Sequence, residues 1–319
     1  MKCLKCGRTI RQAKCPDCGF DYSRDSFLSV FSKKPSGQLS KPEDEGLLMA
    51  GLSAYEDRNY LKALDCFRDA SAQGSSIAAF YLGRMYENGL GVDADINEAV
   101  SWYRNAAELK NSAAMTCLGN CYRYGRGVDK NADTARVWYE KAAEMDDYHA
   151  QFHLGELWEE GIGTEKNEKE ALKWYKLAAE QNYSLAQDRT GAFYQVGKGV
   201  KTDYAEALKW YTKAAAQGDD LGALFIGILY EKGKGVEKDY TEALNWYRKA
   251  ADRNNYLACF YIGRLYENGK GVDCDLKEAV KWYEQAAKLG YKAAARHIDR
   301  LRKSGKITDG EKKTNDRKK

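Results

Sequence analysis

Apolar and small residues recur at a fixed interval of 36 residues along most of the chain. A glycine inside an apolar segment marks each repeat, at Gly83, Gly119, Gly155, Gly191, Gly227 and Gly263. A tryptophan marks a second segment, at Trp102, Trp138, Trp174, Trp210, Trp246 and Trp282. Two series that keep one spacing without an insertion indicate a repeat array, in which each repeat packs on its neighbours and the core extends along one axis.

Each repeat predicts a hairpin of two helices, named here helix A and helix B. Helix A carries the landmark glycine and ends at a Gly-x-Gly loop, whose glycines permit left-handed backbone. Helix B begins after an N-cap residue, at Asp95, Asn131, Asn167, Asp203, Asp239 and Asp275. Its Ala99, Tyr103 and Ala106, with their equivalents, share one face. Because glycine inside a helix costs up to about 1 kcal/mol relative to alanine, we expect helix B to pass close to the landmark glycine.

The opening repeat has a shorter loop than the six that follow. Its landmark residues have the spacing of a tetratricopeptide repeat, and they are Gly51, Tyr60, Ala63, Phe67 and Ala70. The later repeats insert four residues that carry the Gly-x-Gly loop, a pattern that resembles Sel-1-like repeats, relatives of the tetratricopeptide family. The resemblance implies an all-α fold, a right-handed α/α solenoid of helix-turn-helix repeats, whose usual role is to bind other proteins as a scaffold.

Two CxxC pairs lie near the N-terminus, each followed by glycine. Two thiolates three residues apart can bind one tetrahedral ion, and two such pairs complete a closed set of four ligands. Cys3, Cys6, Cys15 and Cys18 therefore predict one structural Zn²⁺ in a segment that resembles the short zinc ribbons of many bacterial proteins. Iron, as in rubredoxin, is an alternative. Lysines and arginines between the ligands support a second hypothesis, a regulator whose ribbon contacts nucleic acid or a large complex.

These patterns divide the chain into six segments. The predicted segments are a zinc ribbon at 1–22, a flexible linker at 23–43, a tetratricopeptide-like first repeat at 44–74, six Sel-1-like repeats at 75–290, a capping helix at 291–303 and a disordered basic tail at 304–319. The formal net charge of +4 is small for 319 residues, so binding of the whole molecule to nucleic acid or membrane is not implied. Residues 1–6 have no apolar core of a signal peptide, and we expect a cytoplasmic protein.

Enzyme activity is a remote alternative, because some relatives of this repeat family are described as penicillin-binding or β-lactamase proteins. The sequence contains no S-x-x-K or G-x-S-x-G motif. Those relatives also carry a cysteine pair in each repeat, whereas here only Cys259 stands at one of the paired positions. We therefore expect a protein that is not an enzyme and a reducing compartment.

Two pairs of potential metal or redox residues occupy positions one helical turn apart. His149 and His153 have Glu156 one turn further on and could share a metal, but two ordinary histidines at variable positions are the favoured interpretation. Cys117 and Cys121 are predicted to be free thiols, because a disulfide at that spacing within a helix is strained.

Partner binding is predicted on helix A, at the positions that vary between repeats and line the concave groove by analogy with tetratricopeptide arrays. One group is polar and suits a carboxylate or a backbone amide, a second is apolar and suits a partner helix or an extended peptide, and acidic residues lie between them. The candidates are Arg84, Asn120, Arg123, Tyr124, Glu156, Leu221, Leu224, Ile228, Leu257, Phe260 and Arg264. The alternative is that some residues at these helix A positions, especially Phe80, Leu224 and Phe260, fill gaps between helices.

Overall fold

The computed structural model of the chain describes residues 42–305. Over that range it contains fifteen α-helices and no β-strand. The helices are α1 (Pro42–Glu56), α2 (Tyr60–Ala72), α3 (Ser76–Asn88), α4 (Ile96–Glu108), α5 (Ser112–Tyr124), α6 (Ala132–Ala143), α7 (Tyr148–Glu160), α8 (Glu168–Glu180), α9 (Ser184–Val196), α10 (Tyr204–Ala216), α11 (Asp220–Lys232), α12 (Tyr240–Ala251), α13 (Tyr256–Asn268), α14 (Leu276–Lys288) and α15 (Lys292–Lys303). The all-α repeat fold of the solenoid type is therefore confirmed.

The described residues divide into two compact units, residues 42–150 and residues 151–305. In the first unit, α1 packs on α2, α3 on α4 and α5 on α6, and each hairpin contacts the next through α2–α3 and α4–α5. In the second unit the hairpins are α9–α10, α11–α12 and α13–α14, joined through α8–α9, α10–α11 and α12–α13. Each unit thus consists of helix A and helix B hairpins stacked in chain order.

The landmark glycines allow helix A to meet the tyrosine ring of helix B. A Cβ atom on Gly83 would lie 2.5 Å from Cε1 of Tyr103, and one on Gly119 would lie 2.4 Å from Cε1 of Tyr139. Carbon atoms do not approach this closely without repulsion, so only glycine fits while the ring stays in place. The expected close approach is confirmed, and the tyrosine ring is its cause.

The two glycines of each loop have different tasks. Gly89 ends α3 in the left-handed conformation, with φ of 66°. Gly91 also has positive φ, and a Cβ atom there would lie 2.8 Å from the backbone of Tyr60, at the start of the preceding helix B. The first glycine therefore terminates helix A, whereas the second makes room for the neighbouring hairpin.

The predicted N-caps of helix B are confirmed. Asp95 Oδ1 accepts hydrogen bonds from the backbone N–H groups of Asn97 and Glu98, at 2.9 and 3.2 Å. The side chains of the other five predicted residues accept equivalent bonds at their own helices. These bonds satisfy backbone donors that the first turn of a helix leaves unpaired.

The last helix, α15, repeats the packing of a helix A. Its Ala294, Ile298 and Leu301 are buried, and it packs on α14. Its outer face is polar, as required where an array ends. Within residues 42–305, no helix is long and apolar enough to cross a membrane.

Candidate partner-binding surface

Four of the predicted partner-binding residues lie in the first unit, and the structure gives them different surroundings. Arg123 is buried, with its guanidinium 5.4 Å from the centre of the Tyr124 ring. Asn120 accepts a hydrogen bond from the hydroxyl of buried Tyr139 at 2.8 Å. Arg84 is partly exposed, and Tyr124 is exposed. Tyr124 is therefore the most accessible candidate of this group.

The second unit contains the other seven predicted residues. Leu224 and Phe260 are 1% and 8% exposed and belong to one core cluster. They fill the interior between helices, so the exposed apolar strip expected from the sequence does not include them. Glu156 is also buried, with Oε2 3.0 Å from Nδ1 of His153. The accessible candidates that remain are Leu221, which is exposed, and Ile228, Leu257 and Arg264, which are partly exposed.

The buried tyrosines of helix B donate hydrogen bonds to the C-terminal part of helix A in the same hairpin. The pairs are Tyr103 with Glu87 at 2.6 Å, Tyr175 with Glu159 at 2.8 Å, Tyr211 with Gln195 at 3.1 Å, Tyr247 with Glu231 at 2.7 Å and Tyr283 with Glu267 at 2.6 Å. A hydroxyl that is removed from water requires such a partner. The acceptor positions are thus part of the packing.

Four of these acceptors are glutamates, and each also pairs with a cation from the following repeat. The pairs are Glu87 with Arg126 at 3.1 Å, Glu159 with Lys198 at 2.8 Å, Glu231 with Arg264, and Glu267 with Arg300 at 2.7 Å. We name each set of three side chains a tyrosine–glutamate–cation bridge. It links helix B, helix A and the next repeat through two charge-assisted hydrogen bonds.

The pKa values within the bridge of Tyr175, Glu159 and Lys198 follow from its geometry. Burial and then the negative charge of Glu159 raise the pKa of Tyr175, so its hydroxyl stays a donor. Burial raises the pKa of Glu159, but the hydrogen bonds from Lys198 and Tyr175 outweigh that effect and the net pKa is lowered. The glutamate therefore stays ionised as the acceptor between two donors.

Among the five tyrosine–acceptor pairs just described, the bridge is interrupted at one, between the α9–α10 and α11–α12 hairpins. Gln195 replaces the glutamate, and Ile228 occupies the position that Arg264 and Arg300 have in their own repeats. Lys234, the equivalent of Lys198, donates instead to the hydroxyl of Tyr204 at 2.8 Å. We name the residues at this place the neutral junction, and they are Ala192, Gln195, Val196 and Ile228. Its Val196 is 64% exposed.

In the bridges that flank the neutral junction, the cation is the outer member. The side chain of Lys198 is 38% exposed and that of its partner Glu159 is 16% exposed. Arg264 is likewise 38% exposed and Glu231 is 12% exposed. The acids lie beneath the cations, so these bridges present positive charge to the solvent on both sides of the neutral junction.

Helix α9, which carries part of the neutral junction, also has a polar interior. Gln187 is fully buried and accepts a hydrogen bond from Nε2 of Gln217 at 2.8 Å. Thr190 is fully buried and donates to the carbonyl of Ala186 at 2.7 Å. Leucine or isoleucine stands at the position of Thr190 in the other five 36-residue repeats, so this helix contributes less apolar area to the core.

The predicted metal and redox residues have these outcomes. Cys3, Cys6, Cys15 and Cys18 lie outside the described residues. Over residues 42–305, no group of three or more His, Cys, Asp or Glu side chains could hold a metal ion. The prediction of free thiols at Cys117 and Cys121 is confirmed, and burial raises the pKa of Cys121 to about 12.

Solved structures with this fold include two at 30% sequence identity or more. One is the antigen c5321 from uropathogenic Escherichia coli, at 30% identity and a TM-score of 0.73, covering 82% of this chain and 57% of that chain. The other is a Sel1 repeat protein from Oxalobacter formigenes, at 35% identity and a TM-score of 0.67, covering 75% of this chain and 96% of that chain. The chain thus spans little more than half the length of c5321. A search of curated proteins gives no match.

The Sel1 repeat family model matches the chain seven times. The matched residues are 47–75, 76–111, 112–147, 149–183, 184–219, 221–255 and 257–291. The first match covers the shorter opening hairpin, so the family includes the repeat whose spacing resembled a tetratricopeptide repeat. Proteins built from this repeat are generally non-catalytic scaffolds for protein interactions. Because the matches extend over most of the chain and coincide with the observed hairpins, the protein belongs to the Sel1 repeat family.

Proposed function

We propose that this protein is a non-catalytic scaffold that holds a peptide or a helix of another protein against the helix A side of its repeats. The observation that carries the proposal is the contrast between two kinds of position. The landmark positions are uniform and buried, as the six tyrosines of helix B are. The accessible positions of helix A vary in chemistry from repeat to repeat, as a surface selective for one partner requires.

The fifth position after the landmark glycine illustrates this variation. It is occupied by Tyr124 in α5, by Val196 in α9 and by Lys232 in α11, and all three side chains are exposed. An aromatic ring, a branched aliphatic chain and an ammonium group offer different contacts to a partner. None of the three residues belongs to the landmark set, so selection for packing does not explain their identities.

The proposal is tested by affinity capture with the full chain from cells that make it naturally. The variant Tyr124→Ala with Val196→Lys alters two exposed helix A positions, and the control Val137→Ser with Leu177→Lys alters two exposed positions on helix B. We expect the wild type and the control to retain the same partner by quantitative mass spectrometry, and the helix A variant to lose it. An identical set of captured proteins for all three chains contradicts the proposal.

We also propose, from ligand spacing alone, that Cys3, Cys6, Cys15 and Cys18 hold one structural Zn²⁺. Metal analysis of the full chain should give about one zinc per molecule, and a Cys3→Ser, Cys6→Ser variant should lose it. Stoichiometric iron or no metal contradicts this assignment. A cytoplasmic location is consistent with the free thiols at Cys66, Cys117, Cys121, Cys259 and Cys274, because such compartments keep thiols reduced.

A further inference from the structure

We infer that the neutral junction is the site where the scaffold takes an apolar anchor residue from an acidic peptide or helix. The inference rests on the proposed scaffold function and adds a location and a partner chemistry to it. Three observations carry it: the missing bridge, the exposed apolar side chains that replace it, and the positive charge on either side.

The position of the site follows from the repeat register. Arg264 reaches Glu231, and Arg300 reaches Glu267, so the residue after the landmark position of one repeat lies beside the tyrosine acceptor of the preceding repeat. By the same register Ile228 lies beside Gln195. Where four other hairpins place a cation on a carboxylate, this junction places a branched aliphatic side chain beside a neutral amide.

The apolar character of the junction extends beyond Ile228. Val196 follows Gln195 directly and, among the described residues of the second unit, is the most exposed large hydrophobic side chain. Ala192, one turn earlier in α9, and Ile228 are partly exposed. A peptide side chain that covered these groups would remove apolar surface from water, which is the usual source of affinity at an anchor position.

The charges around the junction select the sequence that flanks the anchor. Lys198 lies on the side of the preceding repeat, while Lys232 and Arg264 lie toward the following one. Lys198 pairs with Glu159 and Arg264 pairs with Glu231, and each cation is more exposed than its partner. Lys232 is exposed. A basic peptide would meet like charges here, whereas aspartate or glutamate on both sides of the anchor would meet complementary charges. The partner is therefore an acidic segment with one large aliphatic or aromatic residue between its carboxylates.

The test begins with selection of a random peptide library displayed on phage against the immobilised full chain. We expect the enriched peptides to share one large apolar residue flanked by Asp or Glu. The strongest peptide is then synthesised with a fluorescent label, and its binding to the full chain is measured by anisotropy. Val196→Lys, at a solvent-exposed position that packing does not restrict, should weaken binding by about tenfold or more.

A second variant places in the neutral junction the glutamate–arginine ion pair that the protein has in other bridges. Gln195→Glu with Ile228→Arg recreates the pair of Glu231 and Arg264. This double variant should weaken binding of the same peptide by about tenfold while the array stays folded. The matched control is Leu177→Lys, which adds the same charge at an exposed apolar position on helix B of the same unit. It should leave the affinity within about twofold.

The outcomes separate this inference from the proposed function. If peptides are enriched but are basic, or bind equally to the Val196→Lys and wild-type chains, the inference is overturned and the scaffold function stands. If no peptide is enriched and no cellular partner is captured on helix A, both are overturned. Circular dichroism of each variant confirms that lost binding is not lost folding.

Discussion

Helices α9 and α13 occupy equivalent positions in their repeats, yet their interiors differ. The buried side chains of α13 include Phe260, Ile262 and Leu265, whereas α9 buries Gln187 and Thr190. In α13, Glu267 joins Tyr283 to Arg300, whereas the junction formed by Gln195 of α9 is neutral. Both helices keep the landmark glycine, the left-handed C-cap and the contact with a buried tyrosine. One repeat can therefore keep its fold while it gives up apolar area and an ion pair.

The difference indicates how a repeat protein separates stability from recognition. Nearest-neighbour contacts determine whether each hairpin stacks, and the landmark residues contribute to them in every repeat. The remaining positions are free to vary, at a cost in local stability where polar groups replace apolar ones. The repeat with the weaker interior is also the one with an exposed apolar junction, which is consistent with a role in binding.

The largest effect is expected where the two repeats are alike. A Cβ atom on Gly263 would lie 2.7 Å from Tyr283, and one on Gly191 would lie 2.8 Å from Tyr211. Each glycine-to-alanine substitution should lower the free energy of unfolding by about 2–3 kcal/mol, because the ring or the helix must move. Urea unfolding of the full chain measures both losses.

Gly46 supplies the control for that prediction, because it is exposed in α1 and nothing lies within 4 Å of a Cβ atom built there. Gly46→Ala should stabilise the chain by up to about 1 kcal/mol, through the higher helix propensity of alanine. A loss at Gly46 similar to that at Gly263 would show that the tyrosine contact is not the reason for the landmark glycine.

The second effect concerns the bridge itself. Glu231→Gln retains an acceptor for Tyr247 but removes the ion pair with Arg264 and the charge on both hydrogen bonds. Since Glu231 is mostly buried, the free energy of unfolding should fall by about 1–2 kcal/mol. If unfolding by urea is unchanged, the bridges are not what distinguishes the charged junctions from the neutral one.

A smaller gain is expected when the neutral junction is converted to a charged one. Gln195→Glu with Ile228→Arg should raise the free energy of unfolding by about 0.5–1 kcal/mol, because the new ion pair is only partly exposed and the new glutamate also accepts a hydrogen bond from Tyr211. Gln195→Glu alone, without its cation, should give no gain. Equal stability of the single and double variants would refute the role assigned to the cation.

The smallest effect is a pH dependence at the C-terminal helix. The ring centre of His297 in α15 lies 4.9 Å from that of Phe260 and 5.5 Å from that of Tyr283. Its Nδ1 lies 4.0 Å from Oε2 of Glu267 and 3.1 Å from Nη2 of Arg300. Burial, and then the charge of Arg300, lower the pKa of His297 from its ordinary 6.5, although Glu267 acts in the opposite direction. The folded state therefore disfavours the protonated form.

It follows that this contribution to stability is present above about pH 6.5 and is lost as the pH falls below it. Amide hydrogen exchange in α15, relative to the rest of the second unit, should become faster between about pH 7.5 and pH 5.5 after correction for the intrinsic rate. His297→Gln should show a smaller change. An identical pH dependence in the variant would assign the effect to another group.

Much of this structure could be predicted from the sequence, because repetition aligns equivalent residues without any structural information. The hairpins, the N-caps such as Asp95 and the close approach at Gly83 all follow from spacing and from the known preferences of those residues. The bridges were missed, although a signal exists: an acceptor stands sixteen residues before each of five helix B tyrosines. This spacing predicts a hydrogen bond only when it is known which turns of the two antiparallel helices face each other.

The candidate surface was harder to predict, because helix A is apolar around much of its circumference. Leu224 and Ile228 are one turn apart in α11, but the first is buried and the second is partly exposed. Periodicity shows that both are apolar and does not show which of them faces the neighbouring helices. The burial of Arg123 could not be predicted from the sequence either, because charged side chains are expected at the surface unless a partner is known.

The central claim is that the neutral junction and the polar interior of α9 make the α9–α10 hairpin less stable than the α13–α14 hairpin. Native-state hydrogen exchange of the full chain, followed by mass spectrometry, compares residues 184–216 with the equivalent residues 256–288 directly. Faster exchange of backbone amides in the α9–α10 hairpin than in the α13–α14 hairpin is predicted. Equal or slower exchange in α9–α10 would contradict the claim.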